Sequence, residues 1–143
     1  EAVIVGNPAD DYVAAFTKDI DRSLVFTAGS IGRPPQAIDR NADASLALAR
    51  MEEIGTDAIH VVDENRLAGI VTYRAANAAL RDGAGLETAI SDDCPKASGT
   101  TRLFDLYPLA ETGLPIALTD DANRLTGVVR PQEVFHQLAG GRA

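Results

Sequence analysis

The sequence predicts an α+β fold made of two tandem copies of one small unit, because a stretch near its middle recurs near its end. Residues 63–71 read Asp-Glu-Asn-Arg-Leu-Ala-Gly-Ile-Val, and residues 121–129 read Asp-Ala-Asn-Arg-Leu-Thr-Gly-Val-Val. Six of the nine positions are identical at an offset of 58 residues. The same offset pairs Gly55 with Gly113. Matches at one constant offset indicate an internal repeat.

Each copy carries the signals for the same order of elements. Asp43 and Thr101 can cap a first helix, because their side chains accept hydrogen bonds from free backbone N–H groups. Apolar residues then recur at helical spacing, and Gly55 and Gly113 suit the left-handed residue that ends a helix. A strand, a polar Asp-x-Asn-Arg turn, a second strand and a closing helix follow. Pro108 should kink or shorten the first helix of the second copy.

These signals define the predicted ranges. They are strands at 58–62 and 67–71 with a closing helix at 73–80, then strands at 115–119 and 125–129 with a closing helix at 131–138. A short strand near 36–38 or 95–97 precedes each unit. Because neither unit alone supplies a comfortable core, we expect two sheets that pack face to face with the helices outside.

Composition and charge exclude several classes of function. The 143 residues are 45% hydrophobic and 24% charged, which is typical of a folded domain. A net charge of −8 predicts no nucleic-acid partner, because a duplex would repel such a chain. Apolar runs such as 58–62 are too short to cross a bilayer, and no basic leader suggests secretion. The single Cys94 cannot form an internal disulfide, which predicts a reducing, cytoplasmic location.

Catalytic chemistry is hard to assemble from these residues. The phosphate-cradling pattern Gly-x-x-x-x-Gly-Lys-Ser/Thr is missing from the sequence. The two histidines, His60 and His136, make a poor metal set with one cysteine. His60 falls within a predicted strand and is expected to be structural, whereas His136 is expected on the exposed side of the last helix. We therefore expect no enzyme in this chain.

The order strand, acidic turn, strand and helix start resembles the CBS domain. The strand ending Gly-apolar-apolar occurs twice in register, at Gly69-Ile70-Val71 and Gly127-Val128-Val129. This resemblance implies a tandem CBS pair, in which two βαββα units are related by pseudo-two-fold symmetry. Repeat 1 would span 24–88 and repeat 2 would span 89–143.

The opening segment carries a second, more specific resemblance. Residues 7–16, Asn-Pro-Ala-Asp-Asp-Tyr-Val-Ala-Ala-Phe, look like the stretch that joins the ATPase domain to the CBS pair in glycine betaine/proline ABC importers. Residues 103–109 also look like that subfamily. Residues 1–23 would then be a linker helix or the end of a preceding ATPase domain. From the residues alone, an apolar stripe of Val13, Phe16 and Ile20 is equally typical of a helix that caps or links domains.

The importer resemblance also implies a place and partners. The chain would be the C-terminal regulatory region of the ATP-binding subunit, cytoplasmic and peripheral to the inner membrane through the transporter. Its partners would be the ATPase domain, the membrane permease and a second copy of itself, since CBS pairs commonly form homodimers.

The family resemblance further implies a site for adenosine nucleotides in the cleft between the copies. There a Thr or Ser hydroxyl contacts phosphate or sugar, and an Asp three residues later accepts both ribose hydroxyls. The first copy has Thr72 but Ala75 at the carboxylate position, and Asn77 comes two positions too late. The second copy has Arg130 in place of the hydroxyl and keeps a carboxylate at Glu133.

Two interpretations of these residues remain open. In one, a single adenine-nucleotide site survives, with Glu133 on the ribose and Arg130 on the phosphate. The candidate site residues are Gly69, Val71, Thr72, Val129, Arg130 and Glu133. In the other, no cofactor binds, and Thr72 and Glu133 serve only as helix-start residues.

Two functions therefore compete. The first is a regulatory sensor of ionic strength or of an adenine nucleotide. Ionic strength could act through anionic lipid, if the first-copy arginines gathered on one face, or through screening of charge pairs. The second is a ligand-free dimerisation module, which predicts an apolar patch on the helices with Ala47, Ala76 and Ala79 as candidates.

Overall fold

The computed structural model describes residues 26–138 as two three-stranded sheets flanked by helices. The elements in chain order are α1 (Ala28–Ile31), β1 (Ala37–Asp39), α2 (Ala44–Ile54), β2 (Ala58–Asp63), β3 (Arg66–Thr72), α3 (Tyr73–Arg81), a 3₁₀ helix (Leu86–Ala89), β4 (Lys96–Ala97), α4 (Leu103–Ala110), β5 (Ile116–Thr119), β6 (Leu125–Val129) and α5 (Pro131–Leu138). Strand orders are β1-β2-β3 and β4-β5-β6, and in each sheet the first pair is parallel and the second antiparallel. The predicted α+β tandem repeat is confirmed.

The first helix of repeat 1 begins and ends as its sequence predicts. Asp43 Oδ1 accepts a hydrogen bond from the backbone N–H of Leu46 at 2.9 Å and caps α2. Gly55 follows the helix with φ 82°, in the left-handed region. The face of α2 that packs on the sheet carries Ala44, Ala47, Leu48 and Met51.

The first helix of repeat 2 departs from its prediction at both ends, since its C-cap is Glu111 and Gly113, with φ 80°, follows two residues later. Thr101 does not cap α4: the capping position is Arg102, and no side chain caps the helix there. The Thr101 hydroxyl instead lies 3.3 Å from Ser98 Oγ, so a local loop contact competes with the cap. Pro108 lies inside α4, which has eight residues where α2 has eleven, as expected from a proline-shortened helix.

The repeated Asp-x-Asn-Arg-Leu stretches meet each other at the pseudo-two-fold axis. The N–H of Leu67 donates to the carbonyl of Asn123 at 2.9 Å, and the N–H of Leu125 donates to the carbonyl of Asn65 at 3.0 Å. These two bonds are equivalent under the 58-residue offset. Asn65 and Asn123 both have positive φ, 70° and 64°, which asparagine tolerates better than most residues. The motif thus joins the two hairpins as well as turning each one.

The segment that leads into each repeat packs on the other repeat. Arg33 exchanges two backbone hydrogen bonds with Val128, and at the equivalent positions Ser91 exchanges two with Ile70. Gly69 allows Ser91 to lie this close to Ile70, because a Cβ at position 69 would meet Ser91 O at 2.4 Å. Packing therefore crosses the sequence boundary placed between 24–88 and 89–143.

Two hydrophobic clusters form the core, one per repeat. The prediction of an exposed dimer patch at Ala47, Ala76 and Ala79 is wrong, because all three residues are buried in the repeat 1 cluster. Their small side chains fit between α2 and α3, which pack against each other within one chain.

Two further points concern the limits of the described chain. The predicted linker at 1–23 lies outside the described residues. Within residues 26–138, no helix is long and apolar enough to cross a membrane.

Candidate functional site

Two cavities lie at equivalent positions of the two repeats. The larger, about 870 Å³, lies at the start of α3 and is lined by Thr72, Tyr73 and Arg74 with Gly113 across from them. The smaller, about 460 Å³, lies at the start of α5 and is lined by Arg130, Pro131 and Gln132 with Gly55 across from them. Each position of one set maps onto the other at the 58-residue offset, so these are the two clefts of the pair.

Thr72 lines the larger cavity but its hydroxyl already has a partner. Thr72 Oγ1 accepts a hydrogen bond from the N–H of Ala75 at 3.1 Å and caps α3. Asn77 lines the same cavity one helical turn away, with Arg74 and Arg81 on the same side of the helix. This cleft therefore offers a hydroxyl, an amide and two guanidinium groups, but no carboxylate at position 75.

Glu133 is bound at both carboxylate oxygens within the chain. Oε1 accepts a hydrogen bond from the N–H of Arg130 at 2.9 Å, and Oε2 pairs with the Arg33 guanidinium. Arg130 Nη2 donates to Gln36 Oε1 at 3.3 Å. Although Arg130 and Glu133 are three residues apart, Arg130 lines the 460 Å³ cleft and Glu133 lines a separate cavity of about 720 Å³.

The other three candidate residues lie in the interior. Val71 and Val129 are 0% exposed and belong to the two hydrophobic clusters. Gly69 is buried and has φ +156°. The two valine side chains pack in the interior and Gly69 has no side chain, so only the backbone groups of these residues could face a ligand.

His60 joins the two repeats in a way that its sequence position did not reveal. Its side chain is 1% exposed, and Nε2 lies 3.2 Å from the carbonyl oxygen of Pro115 in repeat 2. Since a carbonyl only accepts, Nε2 carries the hydrogen in the neutral ring. Burial is the main cause that lowers the pKa of His60, while the hydrogen bond to Pro115 opposes it. The prediction that His60 is structural agrees with this geometry, and His136 is exposed.

Next to the second cleft, the space around His60 is almost completely filled by side chains. A cavity of only about 10 Å³ remains among Gln36, His60, Pro115 and Arg130. The equivalent of Gln36 in the other repeat is Cys94. Burial raises the pKa of the Cys94 thiol to about 11, so this cysteine is a poor nucleophile. Within residues 26–138, no group of three or more His, Cys, Asp or Glu could hold a metal ion.

The fold and the paired clefts define a class of protein. Residues 28–82 match the CBS domain family, and the described chain has the fold of a tandem CBS pair. It superimposes on the structure of Staphylococcus aureus OpuCA with a TM-score of 0.70 at 20% identity, covering 78% of this chain and 98% of that one. It also matches the structure of CBSX2 in complex with AMP, with a TM-score of 0.70 at 19% identity, covering 82% and 99% of the two chains.

Sequence similarity identifies relatives of this chain within that class. The chain is 35% identical over 141 residues to the glycine betaine/carnitine transport ATP-binding protein GbuA of Listeria monocytogenes, covering 96% of this chain and 35% of that protein. It is 28% identical over 141 residues to the glycine betaine transport ATP-binding protein OpuAA of Bacillus subtilis, covering 96% and 33%. The chain thus spans about a third of the length of the curated relatives it matches. The resemblance to ATP-binding subunits of glycine betaine importers is confirmed.

Proposed function

We propose that this chain is the regulatory module of an ABC importer's ATP-binding subunit for glycine betaine or a related osmolyte. The observation that carries the proposal is the similarity to such subunits along nearly the whole chain, together with the CBS-pair fold. The part of those relatives that matches this chain, about a third of their length, corresponds to the CBS pair. The phosphate-cradling pattern of an ATPase does not occur in this sequence. The module would act in the cytoplasm at the membrane, through the ATPase domain and permease of its transporter.

Ionic strength is the first signal that the module could read. Three first-copy arginines are engaged with carboxylates, in the pairs Arg33–Glu133, Arg40–Asp63 and Arg50–Glu53. This favours screening of ion pairs over an arginine face against anionic lipid. Pairs at the surface weaken as salt shortens the screening length from about 10 Å at 0.1 M to about 3 Å at 1 M. The Arg33–Glu133 pair is the most informative, because it fastens the segment that leads into repeat 1 onto helix α5 of repeat 2.

An adenine nucleotide is the second signal. For Glu133 to accept the ribose hydroxyls, it would release Arg33 and turn from the 720 Å³ cavity toward the 460 Å³ cleft that Arg130 lines. Arg130 would release Gln36 to hold a phosphate. Arg33 and Arg130 would then be free to pair with the phosphates, so one set of internal contacts is exchanged for ligand contacts. A fold neighbour with AMP bound supports the ligand class at the level of fold.

Thermal unfolding tests both signals in one set of measurements. The chain is melted with AMP, ADP, ATP and a cyclic dinucleotide, and separately over a KCl series. A nucleotide at a hundred times its dissociation constant should stabilise the chain by about 2.7 kcal/mol. Glu133→Ala should remove that shift and flatten the salt dependence, whereas Glu111→Ala, at an exposed carboxylate that lines neither cleft, should leave both unchanged. A melting temperature that responds to no nucleotide and equally to salt in both variants would contradict the proposal.

A ligand-free dimerisation module is the alternative function. Both oxygens of Glu133 and the Arg130 guanidinium have partners within the chain, so the second cleft needs no ligand to satisfy it. Light scattering across protein concentration distinguishes the alternatives. A nucleotide-independent dimer at micromolar concentration supports dimerisation, and a monomer throughout excludes it.

A further inference from the structure

A third cavity, of about 720 Å³, lies between the segment that leads into repeat 1 and helix α5 of repeat 2. It borders the 460 Å³ cleft at Gln132, which lines both. The residues that matter for its chemistry are Phe26, Ile31 and Arg33 on the leading segment and Glu133 and Gln137 on α5. We call this space the Arg33 cavity. It combines an ion pair, an aromatic ring and an amide within one open pocket.

The fold does not require the Arg33 cavity, because repeat 1 closes the equivalent groove with small side chains. At the 58-residue offset, Phe26, Ile31, Glu133 and Gln137 correspond to Ala84, Ala89, Ala75 and Ala79, in that order. All four alanines belong to the repeat 1 hydrophobic cluster or pack against it. The N–H of Ala84 also donates to the carbonyl of Ala79 at 2.9 Å and fastens that leading segment to α3. The large and polar residues of repeat 2 are therefore additional to the needs of packing.

The Arg33 side chain offers unused donors on a fixed backbone. Its Nε pairs with Glu133 Oε2, and within residues 26–138 no hydrogen bond or ion pair uses Nη1 or Nη2. The side chain is 56% exposed, so these two groups are accessible. The N–H and carbonyl of Arg33 are held by Val128 at 2.9 and 3.0 Å, independently of the side chain. Since the parallel N–H groups of a guanidinium match the two oxygens of a carboxylate, Arg33 can hold a carboxylate from a ligand.

Glu133 determines the charge of the ligand that the cavity favours. Its carboxylate neutralises the charge of Arg33, so a phosphate with two negative charges would meet little net attraction there. A ligand with one carboxylate and one cationic group is better matched, because its cation can lie beside Glu133 while its carboxylate lies on Arg33. Phe26 lines the same cavity and is 37% exposed, and an aromatic ring attracts quaternary ammonium groups.

We propose that the Arg33 cavity binds a small zwitterion that carries one carboxylate and one ammonium or quaternary ammonium group. The carboxylate lies on Nη1 and Nη2 of Arg33, the cation lies between Glu133 and Phe26, and Gln137 is available to a hydroxyl of a longer ligand. Glycine betaine and carnitine, the two solutes in the name of the Listeria relative, have this chemistry. Binding in the cavity is independent of the proposed function, whereas a role of the bound solute as a signal to the transporter rests on it.

An NMR titration of the full chain with glycine betaine tests the site. We expect saturable shifts of the amide signals of Arg33, Glu133 and Gln137, with a dissociation constant on the order of 1 mM for so small a ligand. The signals of Ala75 and Ala79, at the equivalent places in repeat 1, should not move. Sucrose is the control for an osmolyte that is merely excluded from the protein surface, and it should give no saturable shift. Shifts that grow linearly over the whole chain, as with sucrose, would overturn the proposal.

Two fragments of the ligand test the assignment to a zwitterion. Choline carries the cation alone and acetate carries the carboxylate alone, and each should bind at least about tenfold more weakly than glycine betaine. Glu133→Gln keeps an oxygen that can accept from the Arg130 N–H but removes the negative charge. It should weaken glycine betaine by about tenfold and strengthen acetate, because the charge of Arg33 is then no longer neutralised. A merely structural role of Glu133 would weaken both ligands. Acetate that binds the parent chain as tightly as glycine betaine would make the cavity a simple anion site and contradict the proposal.

Paired arginine variants separate the cavity from a general effect of charge. Arg33→Gln should weaken glycine betaine by about tenfold or more, and Arg33→Lys should fall between this variant and the parent, because lysine keeps the charge without the paired donors. Arg102→Gln removes the same charge at an exposed arginine that lines none of the three cavities, and it should change nothing. Equal weakening in Arg102→Gln would attribute binding to net charge and overturn the proposal. A chain that binds no zwitterion but is stabilised by a nucleotide would overturn this proposal alone and leave the proposed function standing.

Discussion

The start of α3 carries a threonine with an alanine three residues later and borders a cavity of about 870 Å³, whereas the start of α5 carries an arginine with a glutamate three residues later and borders a cavity of about 460 Å³. The backbones around the two clefts match closely. Arg33 and Ser91 make the same pair of backbone hydrogen bonds to the opposite repeat. Symmetry is thus kept where the main chain holds the repeats together and is lost where side chains face the clefts.

The lost symmetry has a simple form. A capping box joins an N-cap hydroxyl to one backbone N–H and a carboxylate three residues later to another. Repeat 1 keeps the first half, because Thr72 accepts from Ala75. Repeat 2 keeps the second half, because Glu133 accepts from Arg130. The residues that resemble a nucleotide site are therefore also the two halves of a helix cap.

The largest expected effect comes from the two equivalent glycines behind the clefts. Gly69→Ala should destabilise the chain by about 3–5 kcal/mol, because φ is +156° and the new Cβ would meet Ser91 O at 2.4 Å. Gly127→Ala should cost about 1–2 kcal/mol, since its Cβ would lie 3.0 Å from Arg33 O and its φ is not positive. Urea unfolding of both variants measures the difference. If both substitutions lowered the free energy of unfolding equally, the segments at Arg33 and Ser91 would be packed equally closely on the opposite repeat.

The bond between His60 and Pro115 is found in one cleft only, because the equivalent of His60 is Leu118. His60→Leu should destabilise the chain by about 1–3 kcal/mol, since the buried carbonyl of Pro115 loses its donor. Unfolding in urea at pH 7.5 measures this cost. His136→Ala, at an exposed histidine, is the control and should cost little. A His60→Leu chain as stable as the parent would show that Pro115 finds another partner.

The same histidine gives the chain a pH dependence of known sign. Burial lowers the pKa of His60, so below pH 6.5 the unfolded chain binds a proton that the folded chain does not. Stability should therefore be intact above about pH 7 and fall as pH decreases from 6.5, by at most about 1.4 kcal/mol per pH unit. His60→Leu should remove this slope between pH 6.5 and 5, while His136→Ala should keep it. An identical slope in His60→Leu would assign the titration to other groups.

Local signals in the sequence predicted local structure well. The offset of 58 residues, the Asp43 cap and the Gly55 stop each depend on a few neighbouring residues, and the structure reproduces them. Gly113 also has a positive φ, 80°, but it does not end α4, whose C-cap is Glu111. Thr101 failed as a cap because Ser98 offers its hydroxyl another partner, a choice that helix propensity does not encode. Ala47 failed as a surface residue because the same small side chain suits close packing inside one chain as well as between chains.

The clefts were harder to predict because their contacts join distant residues. Arg33 and Glu133 are 100 positions apart, and His60 and Pro115 are 55 apart. Sequence spacing identified the carboxylate at Glu133 but could not show that Arg33 forms an ion pair with it. Buried position and partner together decide whether a polar side chain is free for a ligand, and both are properties of the folded chain.

The smallest expected effect comes from completing the cap of repeat 1. Ala75→Glu would place a carboxylate at the third helical position after Thr72, where it can accept from the Thr72 N–H as Glu133 does from Arg130. We expect a gain of about 0.5–1 kcal/mol in the free energy of unfolding, measured in urea at constant m-value. Ala75→Gln should give part of this gain, because its amide oxygen accepts the same bond without the favourable charge at the helix start. Ala78→Glu, one turn later, cannot reach back to the Thr72 N–H and should give none. If Ala75→Glu is neutral while nucleotide binding strengthens, position 75 faces the cleft and not the helix start, which would make repeat 1 the nucleotide-binding half of the pair.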